Sequence, residues 1–222
     1  MATDTPLLHR DDPTREPLSG HVKVTREDWL AIARDVLVTE GVEQVKILAL
    51  AEQLQVSRSS FYWYFKNRDD LLTALLSHWE AGNTNRVIEH CQMPGASISA
   101  AICNFFRCFI DPTRFDRGLD FAVREWARRD SDLRQRVDLA DANRIAAVTD
   151  MFARFDYPPD EADARARILY FMQLGYHALD VREDMDTRLS RIESYLFGFS
   201  GTEADPDAVA TFHADIRALG LN

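Results

Sequence analysis

Residues 57 to 68, SRSSFYWYFKNR, gather hydroxyl, phenol, indole, amide and cationic side chains within one short stretch. Their chemistry suits a polyanion with readable edges. Ser59 and Ser60 are small enough to let a helix approach closely. Arg58 can read a guanine edge or hold a phosphate, and Tyr62 and Tyr64 can donate phenolic hydrogen bonds to phosphate oxygens. Asn67 and Arg68 open the next helix, where backbone N–H groups and a cation meet another phosphate. At 100° per residue, Phe61 and Phe65 fall together on one side, as packing residues, opposite Ser59, Ser60 and Trp63. Three consecutive aromatics, Tyr62, Trp63 and Tyr64, cannot all face one core, so this element is expected to contact DNA through its polar and aromatic face.

Other chemistries lack their residues. The six histidines (His9, His21, His78, His90, His177 and His213) show no HExxH or paired-ligand spacing, and neither a glycine-rich phosphate loop nor a GxSxG elbow occurs. His78 and the His90–Cys91 pair stand 12 residues apart on one expected helix, about 18 Å along its axis, too far to share a metal. The expectation is therefore no catalytic residue, no metal and no cofactor. A helical protein-interaction adaptor is the main alternative, with a metal-dependent enzyme behind it.

The net charge of −10 opposes DNA binding unless it is uneven, and it is. Between Gln44 and Arg68, Lys46, Arg58, Lys66 and Arg68 face Glu52 alone, whereas residues 84 to 222 hold 17 basic and 23 acidic groups. A basic tip on an acidic body orients the molecule on a polyanion tip first. At 222 residues and 46% hydrophobic, the chain can bury a substantial core. It contains no apolar run of about 18 residues, and residues 1 to 20 lack the apolar stretch of a signal peptide, so a cytoplasmic location without membrane contact is expected. Cys91, Cys103 and Cys108, few and odd in number, are expected as buried thiols.

The elements that position the reading residues follow from helix punctuation. Residues 1 to 22 carry three prolines without periodicity and are expected as a flexible arm. Thr25 with Asp28 forms a capping-box pattern ahead of Trp29, Ile32, Ala33, Val36 and Leu37, and Gly41 supplies the stop. A second helix spans about Ile47 to Leu54. Ser57 is expected to cap a third, and Asn67 with Asp70 a fourth that carries Leu71, Leu72, Leu75, Leu76 and Trp79.

Leu50-Ala51, Val56-Ser57, Ser60, Tyr62, Phe65, Lys66-Asn67 and Leu71-Leu72, with Gly41 between the first two helices, resemble the DNA-binding domain of the tetracycline-repressor (TetR) family of bacterial transcriptional regulators. The resemblance covers residues 23 to 83, with the reading motif at 46 to 65. It implies an all-α protein: an N-terminal three-helix helix-turn-helix unit that binds DNA, and a larger C-terminal helical domain, residues 84 to 222, that binds a small ligand and dimerises. It also implies a repressor released from a palindromic double-stranded operator by an effector. The DNA-facing set becomes Lys46, Ser57, Arg58, Ser59, Ser60, Tyr62, Trp63, Tyr64, Lys66, Asn67 and Arg68. Three positions depart from the family pattern. Lys46 stands where Ser or Thr usually caps the second helix, Arg68 where Lys is usual, and Tyr64 where His is frequent.

Beyond residue 84 no comparable fingerprint exists, but helices are punctuated well. Ser97 opens one that ends at Asp111-Pro112, Leu119 to Arg129 forms another, Ser131 opens a long one to about Phe155, and Asp160 opens one to about Asp180. This last helix is apolar around nearly its whole circumference and so needs cover on every side, by its own core and by a second subunit. Helices at 187 to 199 and 206 to 219 are expected to complete a dimer bundle, with Phe171, Leu174, Ala178, Leu196 and Phe212 at the interface. A ligand pocket is expected among Phe105, Phe109, Trp126, Asn143, Tyr170, Gln173 and His177, where polar groups stand within an aromatic region.

Overall fold

A computed structural model describes residues 24 to 220; the expected N-terminal arm lies outside the described residues. The elements, in chain order, are α1 (Arg26–Glu40), a 3-10 turn (Val42–Gln44), α2 (Ile47–Gln53), a 3-10 helix (Arg58–Trp63), α3 (Arg68–Trp79), a π turn (Glu80–Thr84) and α4 (Asn85–Gln92). They continue as α5 (Ile98–Ile110), α6 (Arg117–Ala127), α7 (Ser131–Ala153), α8 (Pro159–Ala178), α9 (Met185–Ser190), α10 (Ile192–Ser200) and α11 (Pro206–Ala218). The described residues contain no strand, and the fold is all-α.

The chain forms two compact units. Among the described residues, the first joins those up to Trp79 with Gly118–Arg134; the second joins Glu80–Arg117 with those from Gln135 onward. Gly118–Arg134, expected with the C-terminal domain, therefore groups spatially with the helix-turn-helix. A buried polar contact accounts for part of this: the Trp79 indole N–H donates to Asp120 Oδ1 at 2.7 Å, and Arg124 Nε donates to the other oxygen at 2.8 Å. A buried carboxylate is tolerable only with such donors, and they fix α6 to the end of α3.

In the first unit the caps form largely as the sequence demands. Thr25 and Asp28 make a full capping box, and Gly41 closes α1 at φ 88°, a left-handed value that suits glycine. Trp29 and Phe61 pack edge to face at 5.2 Å, with Leu50, Leu54, Phe65, Leu71 and Leu75 buried around them. Each such side chain contributes about 1.5–3 kcal/mol by leaving water. Between α2 and the 3-10 helix the chain reverses through Gln55, held at φ 56°, while the Val56 N–H reaches back to the Ala51 carbonyl at 3.0 Å.

In the second unit, α5 is buried by Ala101, Ile102, Cys103, Phe105 and Cys108, and its neighbours include α4, α10 and α11. Burial pushes the thiols of Cys103 and Cys108 up to about 12 and that of Cys91 further in the same direction. Several starts differ from expectation. Asp130, rather than Ser131, caps α7, its Oδ1 accepting from the N–H groups of Asp132 and Leu133. Pro159, rather than Asp160, begins α8, its fixed φ suiting the first turn. The helix expected over 187 to 199 is two: α9, capped by Asp184, and α10, parted at Arg191.

Candidate nucleic-acid interface

The reading element is a 3-10 helix and not the α-helix that the wheel assumed. It is six residues long, and its serines compete for backbone groups: Ser60 Oγ donates to the Ser57 carbonyl at 2.8 Å, and the Ser57 and Ser59 hydroxyls pair at 2.7 Å. Ser57 therefore makes no cap hydrogen bond to the helix that follows. At three residues per turn, side chains three apart eclipse, so Ser59 lies in line with Tyr62 and Ser60 with Trp63. Phe61 and Phe65 are buried as the sequence requires, while Trp63 is 66% and Tyr62 47% exposed. An indole and a phenol held so far into solvent oppose the hydrophobic effect, and small hydroxyls border them.

The charged groups are placed unequally. Arg58 is exposed, its Nη2 donates to the Tyr62 hydroxyl at 2.9 Å, and its guanidinium lies 5.8 Å from that ring centroid, so the two form one preorganised pair. Lys46, Lys66 and Asn67 are exposed. Lys46 Nζ donates to the Gln44 side chain, and α2 has no side-chain cap among the described residues, as its departure from the family pattern implies. Asn67 Oδ1 caps α3 by accepting from the Asp70 N–H at 2.9 Å, and Asp70 in turn accepts from the Lys66 N–H.

Tyr64 and Arg68 are turned to internal use. The Tyr64 hydroxyl donates to the Val24 carbonyl at 2.8 Å, tying the start of α1 to the reading element. Arg68 Nε donates to the Val45 carbonyl at 2.7 Å and its Nη2 to the Val42 carbonyl at 2.6 Å, so the guanidinium staples the α1–α2 connection. The rigid fork of arginine makes both bonds at once, which the lysine usual at this position could not do in the same geometry.

Of the expected ligand-pocket residues, Phe105, Phe109, His177 and Gln173 form one cluster, with Phe105 and Phe109 centroids 4.9 Å apart and Gln173 Nε2 2.9 Å from His177 Nε2, and the others stand apart from it. Phe105 and Tyr170 are fully buried in the second unit's core, Phe109 and His177 pack on each other at 5.6 Å, and Asn143 is exposed on α7. Trp126 belongs to the first unit, where it borders a groove with Leu37, Val42 and Phe121. Only Gln173 lines the cleft that the second unit does hold. That cleft is small, with a volume of about 50 Å³, and it lies among α5, α8, α9, α10 and α11. Sequence reasoning missed Met172, Met185, Arg188 and Leu189, and no local pattern marks them, because the cleft arises where helices distant in sequence meet.

The expected interface residues also divide. Phe171 is 51% exposed on α8, Ala178 is exposed and Leu174 half-buried, whereas Leu196 and Phe212 are buried within the second unit. On α10 the outward apolar side chain is the next residue, Phe197, one position and 100° around from Leu196.

A helix-turn-helix unit with an exposed cationic and aromatic reading turn defines a DNA-binding transcriptional regulator. Residues 30–75 match the family model described as "Bacterial regulatory proteins, tetR family". Two solved structures share the fold across nearly the whole chain. Salmonella enterica GusR is 16% identical with a TM-score of 0.54, covering 94% of this chain and 98% of its own. Mycobacterium smegmatis AmtR is 18% identical with a TM-score of 0.58, covering 92% and 98% respectively. No curated protein matches the chain. Among the described residues, no helix is long and apolar enough to cross a membrane, and no group of three or more His, Cys, Asp or Glu side chains is placed to hold a metal.

Proposed function

We propose that the protein is a ligand-responsive repressor that binds a palindromic operator as a homodimer in the cytoplasm, the first unit reading DNA and the second binding effector and partner. The observation that carries this reading is the exposed Arg58–Tyr62–Trp63 surface on the 3-10 helix, for which burial, catalysis and metal binding offer no use. Ser57, Ser59, Ser60, Lys46, Lys66 and Asn67 complete the duplex-facing set. Tyr64 and Arg68 hold that surface in shape and act on DNA through it.

The dimer is supported by α8. Its inner face carries Ala162, Ala166, Leu169 and Tyr170, all buried, while Ile168 (59% exposed) and Phe171 stand on the other side. A self-complementary apolar face of this kind suits a two-fold contact, and two heads on half-sites about one helical turn apart gain affinity without further contacts per head.

The test is fluorescence anisotropy of labelled DNA from the gene's own upstream region, titrated with protein at several salt concentrations. The expected result is sequence-selective binding whose affinity falls steeply as salt rises, through counterion release. Binding that ignores sequence, or no binding at low salt, refutes the regulator reading.

A further inference from the structure

Exposed apolar side chains are spread unevenly over the first unit. Among its described residues the large ones are Leu48 at 60%, Trp63 at 66% and Tyr62 at 47%, and none stands on α1, α3 or α6. Tyr62 already has a polar use, since its hydroxyl accepts from Arg58. Leu48 and Trp63 sit in the two elements of the helix-turn-helix, α2 and the 3-10 helix, which pack on each other. On α2, Leu48 lies about 200° around from Leu50, away from the core that Leu50, Ala51 and Leu54 fill. A leucine side chain has no donor or acceptor, so it can bind neither a phosphate nor a base edge by a hydrogen bond.

We infer that Leu48 and Trp63 read thymines, each laid against the C5-methyl group of a thymine in the major groove, and that each operator half-site carries thymine at the two positions they touch. The inference rests on the regulator reading above. The exposed cations Lys46, Arg58 and Lys66 belong to these two elements or adjoin them, so the surface that carries the apolar side chains matches a polyanion rather than an apolar partner. Glu52, exposed one turn beyond Leu48, is the opposing charge and confines the approach to the first turn of α2. Among the base edges of the major groove, the thymine methyl is the apolar group. Contact with it takes both the methyl and the side chain out of water, which the free protein does for neither Leu48 nor Trp63.

The test replaces thymine by deoxyuridine, which lacks the methyl and keeps every hydrogen-bonding edge. Sequences bound by the full chain are selected from a random duplex pool, and anisotropy compares the selected operator with its deoxyuridine copy. The parent should bind that copy roughly tenfold or more weakly, since each methyl withdrawn from an apolar contact costs about fourfold. Single replacements should localise the loss to two positions in each half-site. Leu48→Ala should become indifferent at one of them and Trp63→Ala at the other, each with the parent's melting temperature. Should either variant unfold, the parent's own map decides, a loss spread evenly over all thymines counting against the inference. Equal binding of both operators by the parent overturns it. So does an undiminished loss in the Leu48→Ala, Trp63→Ala double variant, which would place the effect in the flexibility of the DNA. A pool that yields no selective sequence removes the regulator reading and this inference together, whereas selective binding indifferent to deoxyuridine removes this inference alone.

Discussion

The reading turn Arg58–Trp63 and helix α8 both expose large aromatic side chains, yet they suit different partners. On the reading turn, Tyr62 and Trp63 stand beside Arg58, Ser59 and Ser60, so the apolar surface is interrupted by donors and positive charge. On α8, Ile168 and Phe171 are exposed, and the charges beside and before them, Arg167 with Asp163 and Arg165 with Glu161, are paired with one another. The polarity of the neighbours separates the two surfaces: donors and positive charge suit a polyanion, whereas apolar neighbours suit another apolar face.

The comparison can be broken most forcefully at the reading turn's foundation. Phe61→Ala should cost about 3–5 kcal/mol of stability by opening a cavity beneath Trp29 and Phe65, seen as an earlier urea midpoint with loss of operator binding. On α8, Phe171→Glu should disrupt the dimer by about 3 kcal/mol or more, since each copy would bury a carboxylate against the other, and should leave the fold intact. Analytical ultracentrifugation showing an undisturbed dimer would remove α8 from the interface.

Two neighbouring substitutions then separate contact from support. Arg68→Ala should lower stability by about 2 kcal/mol, because two backbone carbonyls lose a charged donor, and should weaken operator binding as a consequence. Tyr62→Ala should weaken binding by about 1–3 kcal/mol while its unfolding midpoint barely moves. Equal stability losses in the two variants would erase the distinction between an outward phenol and an inward guanidinium.

The smallest effect is a pH dependence in the second unit. Burial holds the His90 imidazole below its ordinary value, reinforced by Arg114 and Arg107 and opposed by the Asn104 carbonyl and Glu89. Its folded pKa being lowered, its stabilising contribution is complete above about 6.5 and is lost as pH falls through the folded value. Urea midpoints at pH 7.5 and 5.5 should differ more for the parent than for His90→Gln, and equal differences would exclude this histidine as the source.

Much of the molecule was legible before its structure. The capping box at Thr25–Asp28, the stop at Gly41, the Asn67–Asp70 cap and the inward turn of Phe61 and Phe65 all follow from interactions spanning three or four residues, and all are present. Asp130 and Ser131 show where such reading slips: both can accept from a first-turn N–H, and only the backbone path chooses between them.

By itself, then, the sequence determined the helices, the all-α class and the chemistry of the reading turn, because these depend on local periodicity and on residue types adjacent in the chain. Only the tertiary structure decided that Tyr64 and Arg68 point inward, to carbonyls 40, 23 and 26 residues away. It alone turned Leu196 in and Phe197 out, and built a cleft from α5, α8 and α9 through α11 rather than from the aromatics first in view. Such outcomes depend on which helices pack together, and packing is a property of distant surfaces that no single stretch of chain contains.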